Sequence, residues 1–287
     1  MGVVLKPLRD AVALAVAVVC VPALVHAQPL GGTDGAPTPA APVGVPLGPR
    51  DPDREPSAFV STAVDIGYQY LRPRGSVGYG NPWGSWVGVD ANPLVSGTAA
   101  GGYGGVRLAL PPVNLRAGLR YLYSFRKSFL PIQEQYNRRD IEFSDGDPAR
   151  YLAWETELTL SPIVGPGYIL SESALTYMTG VPSDQYVYTE QLRIVAKAPW
   201  IFRQQLGYVF PIDEAGALKI GIVGEYLRDP DRETDTVRGG ILLRMRIFQD
   251  LEARGNFVPV LFSPDELGIK GGDFGQLGIR WTWAEDL

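Results

Sequence analysis

The chain has 287 residues, with 26 Lys and Arg against 31 Asp and Glu, which gives a net charge of −5. Its only cysteine, Cys20, and its only histidine, His26, lie near the N-terminus. A net-acidic chain without a basic cluster argues against a nucleic-acid partner. The lack of Cys and His after residue 26 excludes disulfide frameworks, thiol chemistry, Cys/His metal sites and His-based triads from the rest of the chain.

The first 27 residues have the features of a secretion signal. Two basic residues near the start precede the apolar run 11–25, and Val25-His26-Ala27 places small residues at the −3 and −1 positions of a cleavage site. The apolar run is shorter than the roughly 20 residues that a membrane-spanning helix needs. We therefore predict a signal peptide over 1–27 that is cleaved near Ala27.

Residues 28–57 are rich in Pro and Gly and hold few large apolar side chains. Such a segment cannot build a core, so it is predicted to be a disordered or partly polyproline II tail, located in the periplasm. The pentapeptide at 51–55 recurs at 229–233, which we interpret as shared turn chemistry.

From residue 58 onward, apolar and polar residues alternate in about ten runs, as in strands that expose their two faces to different surroundings. Pro, Gly and Asp separate the runs. The predicted strands are 58–71, 100–110, 113–125, 150–161, 166–178, 187–210, 216–228, 237–248, 251–262 and 273–283.

The longest predicted strand, 187–210, shows the alternation best. It is treated as one strand despite Pro199, because the apolar side chains keep the same parity on both sides of that residue. A hairpin within the segment would also preserve the parity, but it would give an odd number of strands.

The connections between the predicted strands alternate between short and long. Pro111-Pro112 and Gln249-Asp250 are short, whereas 72–99 and 126–149 are long. Short turns on one rim and long loops on the other are typical of bacterial outer-membrane barrels, whose long loops face outward.

Residues 58–283 resemble bacterial outer-membrane β-barrel proteins. Gly278–Trp283 is similar to the terminal strand by which such proteins are recognised for assembly, because its aromatic residues alternate. The family usually ends on Phe or Trp, whereas Ala284–Leu287 follows here.

The resemblance implies an all-β fold, a transmembrane antiparallel up-and-down barrel over 58–287. About ten strands are expected, or twelve if 83–95 pairs with a neighbour. It also implies a location in the bacterial outer membrane, with outer-membrane lipid and the barrel-assembly machinery as partners.

A secreted β-sandwich that acts as a binding module would alternate too, with its apolar face buried inside. The predicted strands, at about 11–14 residues and more, are longer than the usual 5–6 of soluble sheets. Their polar faces also carry many Arg and Glu side chains. Both features favour the membrane barrel.

If the apolar face meets lipid, the charged side chains point into the lumen. The candidate lumen residues are Arg107, Arg116, Arg120, Glu155, Glu157, Glu172, Arg193, Lys197, Arg203, Lys219, Glu225, Arg238, Arg244, Arg246 and Arg280. Side chains largely fill a small barrel, so charges of both signs are expected to pair across the lumen. A narrow channel in which the excess of arginine favours anions is the alternative.

Enzymatic chemistry has little support in the sequence. Glu155 and Glu157 lie two apart on one strand face, which is compatible with an acid–base pair but is also an ordinary spacing on an amphipathic strand. We expect no catalytic residues, no cofactor and no resident metal. Acidic loop clusters near Asp145, Asp229 and Asp265 could hold Ca²⁺, although solvated turns are commoner.

Two functions remain open at this stage. The first is a structural barrel or a narrow, porin-like channel for small solutes. The second is a surface adhesion or binding barrel that acts through its long loops. Tyr79, Trp83 and Trp86, in the predicted loop 72–99, are the candidates for contact with a surface ligand. Neither the solute nor the ligand can be named from the sequence.

Overall fold

The computed structural model describes residues 55–67, 70–248, 251–267 and 276–286. The predicted signal peptide and residues 28–54 of the predicted tail lie outside these ranges. Among the described residues, no helix is long and apolar enough to cross a membrane.

The described chain is almost entirely β-structure. In chain order its elements are β1 (Ser57–Gly67), β2 (Tyr70–Gly80), β3 (Trp86–Ser96), β4 (Ala99–Leu110), β5 (Val113–Ser124), β6 (Phe129–Pro131), α1 (Arg138–Glu142), β7 (Arg150–Leu160), β8 (Ile163–Val164), β9 (Gly167–Thr179), β10 (Gln185–Thr189), β11 (Ile194–Ala196), β12 (Trp200–Pro211), β13 (Leu218–Asp229), β14 (Thr234–Arg246), β15 (Leu251–Phe257), β16 (Val260–Phe262) and β17 (Gln276–Asp286).

Twelve of these strands close into an antiparallel barrel, and the short strands β6, β8, β10, β11 and β16 lie outside the ring. The last strand, β17, pairs with both β1 and β15 and so joins the two ends of the sheet. β9 pairs directly with β12 across the intervening segment. Closure gives each barrel strand two neighbours, which satisfies its backbone hydrogen bonds within the sheet, as a lipid environment requires.

The prediction of ten strands is wrong, and the alternative of twelve is confirmed. Residues 72–99, predicted as a loop, contain most of β2 and all of β3. The predicted strand 58–71 ends at Gly67, and β2 begins at Tyr70. The closure of twelve strands removes the free edges that an unpaired segment would leave.

The prediction of one strand over 187–210 is also wrong. β12 begins at Trp200, directly after Pro199, which has no N–H to contribute to a ladder. The residues before Pro199 form β10 and β11, which pair with β6 in a separate three-stranded sheet. A short hairpin that is buried on one side has the same period of two as a barrel strand, so parity alone does not distinguish them.

The barrel has an apolar exterior. Large apolar side chains on alternate positions are exposed, including Val106, Leu115 and Ile222. On the closing strand, Trp281 and Trp283 are each 40% exposed. An outward apolar band with aromatic residues is the surface that a barrel presents to lipid.

The long connections lie on one rim of the barrel, as the gap lengths predict. We call this the loop rim, and its described connections include 125–149, 180–199, 230–233 and 258–267. The opposite rim, which we call the turn rim, carries the shorter connections 81–85, 111–112, 161–166, 212–217 and 247–248.

Candidate functional site

The interior of the barrel is lined by charged side chains, and their distribution differs from one wall to the other. We call the wall formed by β5, β7, β9, β12, β13 and the part of β14 up to Arg238 the balanced wall. Arg116 Nη2 donates to Glu157 Oε2 at 2.7 Å, and Arg120 donates to both oxygens of Glu155 at 2.6 and 2.9 Å. The guanidinium groups of Arg116 and Arg120 each lie 5.3 Å from the ring centroid of Tyr103. The two glutamates considered as an acid–base pair are therefore held in ion pairs.

The balanced wall continues around β9, β12, β13 and β14. Arg203 forms an ion pair with Glu172 and lies 3.7 Å from a carboxylate oxygen of Glu225. Arg238 Nη1 donates to Glu225 Oε1 at 3.0 Å. Across the whole balanced wall, four arginines thus face four glutamates.

The remaining wall has an excess of arginine, and one carboxylate there serves three of them. Asp65, which is 3% exposed, accepts Arg72 Nη2 at 3.1 Å and lies 3.2 Å from Arg74 Nη2. Arg280 also binds Asp65 through two nitrogens, one of them Nη2 at 2.9 Å.

Two further arginines complete this wall. Arg254 Nε donates to Glu252 Oε1 at 2.5 Å. Arg244 lies directly opposite Arg254 in the β14–β15 ladder, and no ion pair of Arg244 is found among the described residues. We call the five residues Arg72, Arg74, Arg244, Arg254 and Arg280 the basic wall. Among the described residues, Asp65 forms ion pairs with three of them and Glu252 forms one with Arg254.

Two adjoining cavities occupy the lumen. The outer chamber has a volume of about 1000 Å³, and its lining includes Arg126 and Arg138 near the loop rim. The inner chamber has a volume of about 340 Å³ and lies against the basic wall. The residues that line both chambers, and so mark where they meet, are Arg72, Arg116, Glu157, Gln191, Arg193 and Arg203.

The loop-rim segments fold into the mouth of the barrel. Val187 and Ala196, from the small sheet, are fully buried against inward-facing side chains of the barrel strands. The tip of this hairpin, 190–193, reaches the balanced wall. There Arg238 Nη2 donates to the carbonyl oxygen of Leu192 at 2.7 Å and to that of Arg193 at 3.2 Å. The hairpin therefore narrows the lumen.

One arginine, Arg232, contacts several connections of the loop rim. Arg232, in the turn between β13 and β14, binds both carboxylate oxygens of Asp265 at 2.6 Å. It also donates at 3.1 Å to the carbonyl oxygens of Val195 and Glu134. Its guanidinium lies 5.0 Å from the ring centroid of Tyr136. Four connections on the loop rim thus meet at a single buried cation.

Two of the acidic loop residues considered for Ca²⁺, Asp229 and Asp265, bind donor groups of the protein. Asp265 is occupied by Arg232, and Asp229 accepts the backbone N–H groups of Asp231 at 3.1 Å and Arg232 at 2.9 Å. Within the described ranges, no group of three or more His, Cys, Asp or Glu side chains could hold a metal ion. The recurring pentapeptide at 229–233 forms a turn, as its composition predicts.

Near the turn rim, aromatic side chains fill part of the lumen. Arg107 lies 5.1 Å from the ring centroid of Trp86 and donates to Asn114 Oδ1 at 3.1 Å. Its ion pair with Asp90 measures 3.4 Å. Trp86 packs edge-on against Phe59 with the ring centroids 5.3 Å apart.

Tyr79, Trp83 and Trp86 do not lie in one long loop, because most of 72–99 forms β2 and β3. Tyr79 is on the exterior of β2 and 61% exposed, whereas Trp86 is buried inside the barrel. Trp83 lies in the connection between β2 and β3 on the turn rim. The three side chains therefore share no common surface on the loop rim.

The other candidate lumen residues occupy different places. Arg193 and Lys197 belong to the inserted segment rather than to a barrel strand, and the Lys197 backbone N–H donates to Asp229 Oδ2 at 2.6 Å. Lys219 and Arg246 are half-buried near the turn rim.

Sequence reasoning missed several residues of the lumen. Arg72 and Arg74 lay in the supposed loop, where no parity was assigned to them. Glu252 and Arg254 lie two apart in the predicted strand 251–262, whose alternation is weak. Asp65 was on the polar face of the first predicted strand, and that parity was a signal that could have identified it.

A closed antiparallel barrel with an apolar exterior and a charged interior defines the architecture of a bacterial outer-membrane β-barrel. No family model and no curated protein sequence matches the chain. Solved structures do show a remote likeness.

One of them is the KdgM porin in complex with disordered oligogalacturonate, at 8% identity and a TM-score of 0.39 over 78% of this chain and 99% of that one. The NanC porin has 9% identity and a TM-score of 0.36 over 80% of this chain and 100% of its own. An anion-selective porin from Comamonas acidovorans has 10% identity and a TM-score of 0.34, with the same coverage. At these values the likenesses carry no argument about the function of this chain.

Proposed function

We propose that the protein is a porin-like channel of the bacterial outer membrane that passes small anions through a narrow lumen. The basic wall is the observation that carries this proposal, because the ion pairs described for its five arginines are formed with two carboxylates, Asp65 and Glu252, while the balanced wall has as many glutamates as arginines. An excess of fixed positive charge in a narrow pore raises the local concentration of anions and repels cations.

The inserted hairpin supports a restriction to small solutes. Its tip, 190–193, contributes to the lining where the two chambers meet. The aromatic pair Phe59 and Trp86 narrows the lumen again near the turn rim. The described parts of the long loops are packed into the mouth, which favours a channel over an adhesion surface on extended loops.

The proposed orientation places the loop rim at the cell surface and the turn rim in the periplasm, as is usual for such barrels. The apolar exterior would contact outer-membrane lipid, and the barrel-assembly machinery would insert the chain after cleavage of the signal peptide. Cell fractionation tests this location. Recovery of the folded protein from the soluble periplasm or the medium would contradict it.

Reconstitution into planar bilayers tests the channel. The purified full chain should conduct in KCl, and replacing chloride by a large organic anion should reduce the current more than replacing potassium by a large organic cation. The double variant Arg244→Gln with Arg254→Gln should weaken that difference. The charge-neutral control Arg120→Gln with Glu155→Gln should retain it. A silent barrel would contradict the proposal.

A further inference from the structure

We propose that the inner chamber is a binding site for a small oxyanion that carries at least two negative charges, such as phosphate or a short dicarboxylate. This inference deepens the proposed channel function and rests on it for the passage of the ligand. The inner chamber, of about 340 Å³, is large enough for such an ion, and the basic wall lines it.

The first observation is a pair of facing arginines with one carboxylate between them. Arg244 and Arg254 lie directly opposite each other on β14 and β15, and both line the inner chamber. Like charges in directly opposite positions of an antiparallel pair destabilise the sheet. Glu252 pairs with Arg254 at 2.5 Å, and Arg244 has no ion pair among the described residues. A bound anion between the two guanidinium groups would supply the missing negative charge.

The second observation is a buried donor without a partner. Arg74 Nε is buried and makes no hydrogen bond among the described residues. The nearest carboxylate, Asp65, is already shared with Arg72 and Arg280. A buried donor without an acceptor is costly, and native structures rarely contain one. Arg74 lines the same chamber as Arg244, so one bound anion could accept hydrogen bonds from both arginines.

The chemistry of these groups selects the class of ligand. A guanidinium group presents a planar fork of N–H donors that matches two oxygens of a phosphate or a carboxylate. Several such forks around one chamber require an ion with several acceptor oxygens and more than one negative charge. A halide has neither property, and a neutral solute would leave the arginines without compensation.

Isothermal titration calorimetry of the full chain, folded in detergent at low ionic strength, tests the site. The probes are inorganic phosphate, malonate and chloride. Phosphate, malonate or both should give saturable binding, and chloride should give none at the same concentrations. If only phosphate or only malonate binds, that result shows whether the ligand is a phosphate or a dicarboxylate. Linear, non-saturating heats for both would overturn the proposal.

Variants separate a built site from a general effect of charge. Arg74→Gln with Arg244→Gln should weaken binding by at least about tenfold, since each substitution removes charge-assisted hydrogen bonds. The matched control, Arg126→Gln with Arg138→Gln, removes the same charge from the lining of the outer chamber and should keep the wild-type affinity. Equal losses in both double variants would overturn the site.

Two additional measurements keep the outcomes distinct. Arg244→Gln alone breaks no ion pair found among the described residues, so it tests the site if the double variant fails to fold. Bilayer conductance of the same preparation reports on the channel. Conduction without saturable binding would overturn the site and leave the channel, whereas binding without conduction would overturn the channel and leave the site.

Discussion

At the scale of single residues, Asp65 forms ion pairs with three of the five arginines of the basic wall. Asp65→Asn would remove the negative charge that Arg72, Arg74 and Arg280 share in the barrel interior. Breaking a buried ion pair from one side costs about 3–5 kcal/mol, so we expect the free energy of unfolding to fall by roughly that amount. Urea unfolding in detergent measures it.

The control for this substitution is Asp235→Asn. Asp235 pairs with Arg228 at 2.8 Å, but both side chains are about one-third exposed. Surface pairs of this kind contribute about 0–1 kcal/mol, so the control should lose much less stability. Equal losses in the two variants would show that Asp65 has no special role in the interior.

Glu190, at the tip of the inserted hairpin, lines the outer chamber, and we expect it to make the charge of the lumen depend on pH. Burial raises the pKa of its carboxyl group above the usual value for glutamate. One of its oxygens is buried without a hydrogen-bond partner, which also favours the protonated form. As the pH falls, Glu190 should therefore lose its negative charge earlier than an ordinary glutamate does.

Because the pKa of Glu190 is raised, we expect the preference of the wild-type channel for anions to increase as the pH falls from neutral, before it reaches the usual pKa of glutamate, about 4.3. Glu190→Gln should show the stronger preference already at the higher pH, and its response to pH should be smaller. The control Glu142→Gln, also in the lining of the outer chamber, should keep the wild-type response. Ion selectivity measured at each pH decides between these outcomes, and an unchanged response in Glu190→Gln would contradict the role of this residue.

The alternation along the strands predicts which charged side chains of the balanced wall point inward, but it does not predict which of them form ion pairs with each other. Arg116 and Glu157 share the inward parity of their strands, and they face each other because β5 and β7 are paired in that register. Register depends on the neighbouring strand, which a single run of alternation does not contain. The alternation does not reveal the excess positive charge of the basic wall, because the sequence predicts that Arg72 and Arg74 lie in a loop.

At the scale of elements, β2 and β3 were missed because their glycines and prolines resemble loop composition. In the structure, most of those glycines and prolines lie within β2 and β3. A Cβ on Gly78 would lie 2.7 Å from the Val87 carbonyl oxygen and 3.1 Å from both the Phe59 and Trp86 rings, so only glycine leaves room there. Close packing of aromatic rings on a strand is invisible in a propensity pattern.

One proline of each of these two strands lies where the hydrogen-bonded ladder between β2 and β3 is interrupted. Pairing between β2 and β3 includes Leu71 with Val95 and resumes at Gly75 with Ala91. Pro73 and Pro93 lie in the gap between these pairs, where no N–H donor is needed. Proline therefore marked a local irregularity in a hairpin rather than a boundary between loops.

The inserted hairpin is the element that should limit conductance. Replacing Gln185–Ala196 by a short Gly/Ser linker should leave the barrel closed, because β9 and β12 pair with each other directly. Single-channel conductance should rise by at least about twofold, since the replaced segment narrows the lumen.

The matched control replaces 212–217 on the turn rim, which lines neither chamber. Its conductance should equal that of the wild-type protein. If the hairpin variant conducts no more than this control, the segment does not limit the current.

At the scale of the whole molecule, the gap lengths were the most informative part of the sequence. They assigned the connections 126–149 and 179–186 to one rim and Pro111-Pro112 to the other, as the structure has them. Closure follows from pairing between the first and last strands, β1 and β17, which no local pattern reveals. The net charge of the lumen likewise emerges only after all twelve strands are placed around it.

The zero-current potential of a single channel under a gradient of KCl tests the central claim most directly. The excess of arginine on the basic wall requires that chloride cross more readily than potassium. The sign of the potential should therefore be that of an anion-selective pore, and it should move toward zero when Arg244 and Arg254 are replaced by glutamine. A potential with the sign of a cation-selective pore would contradict the account.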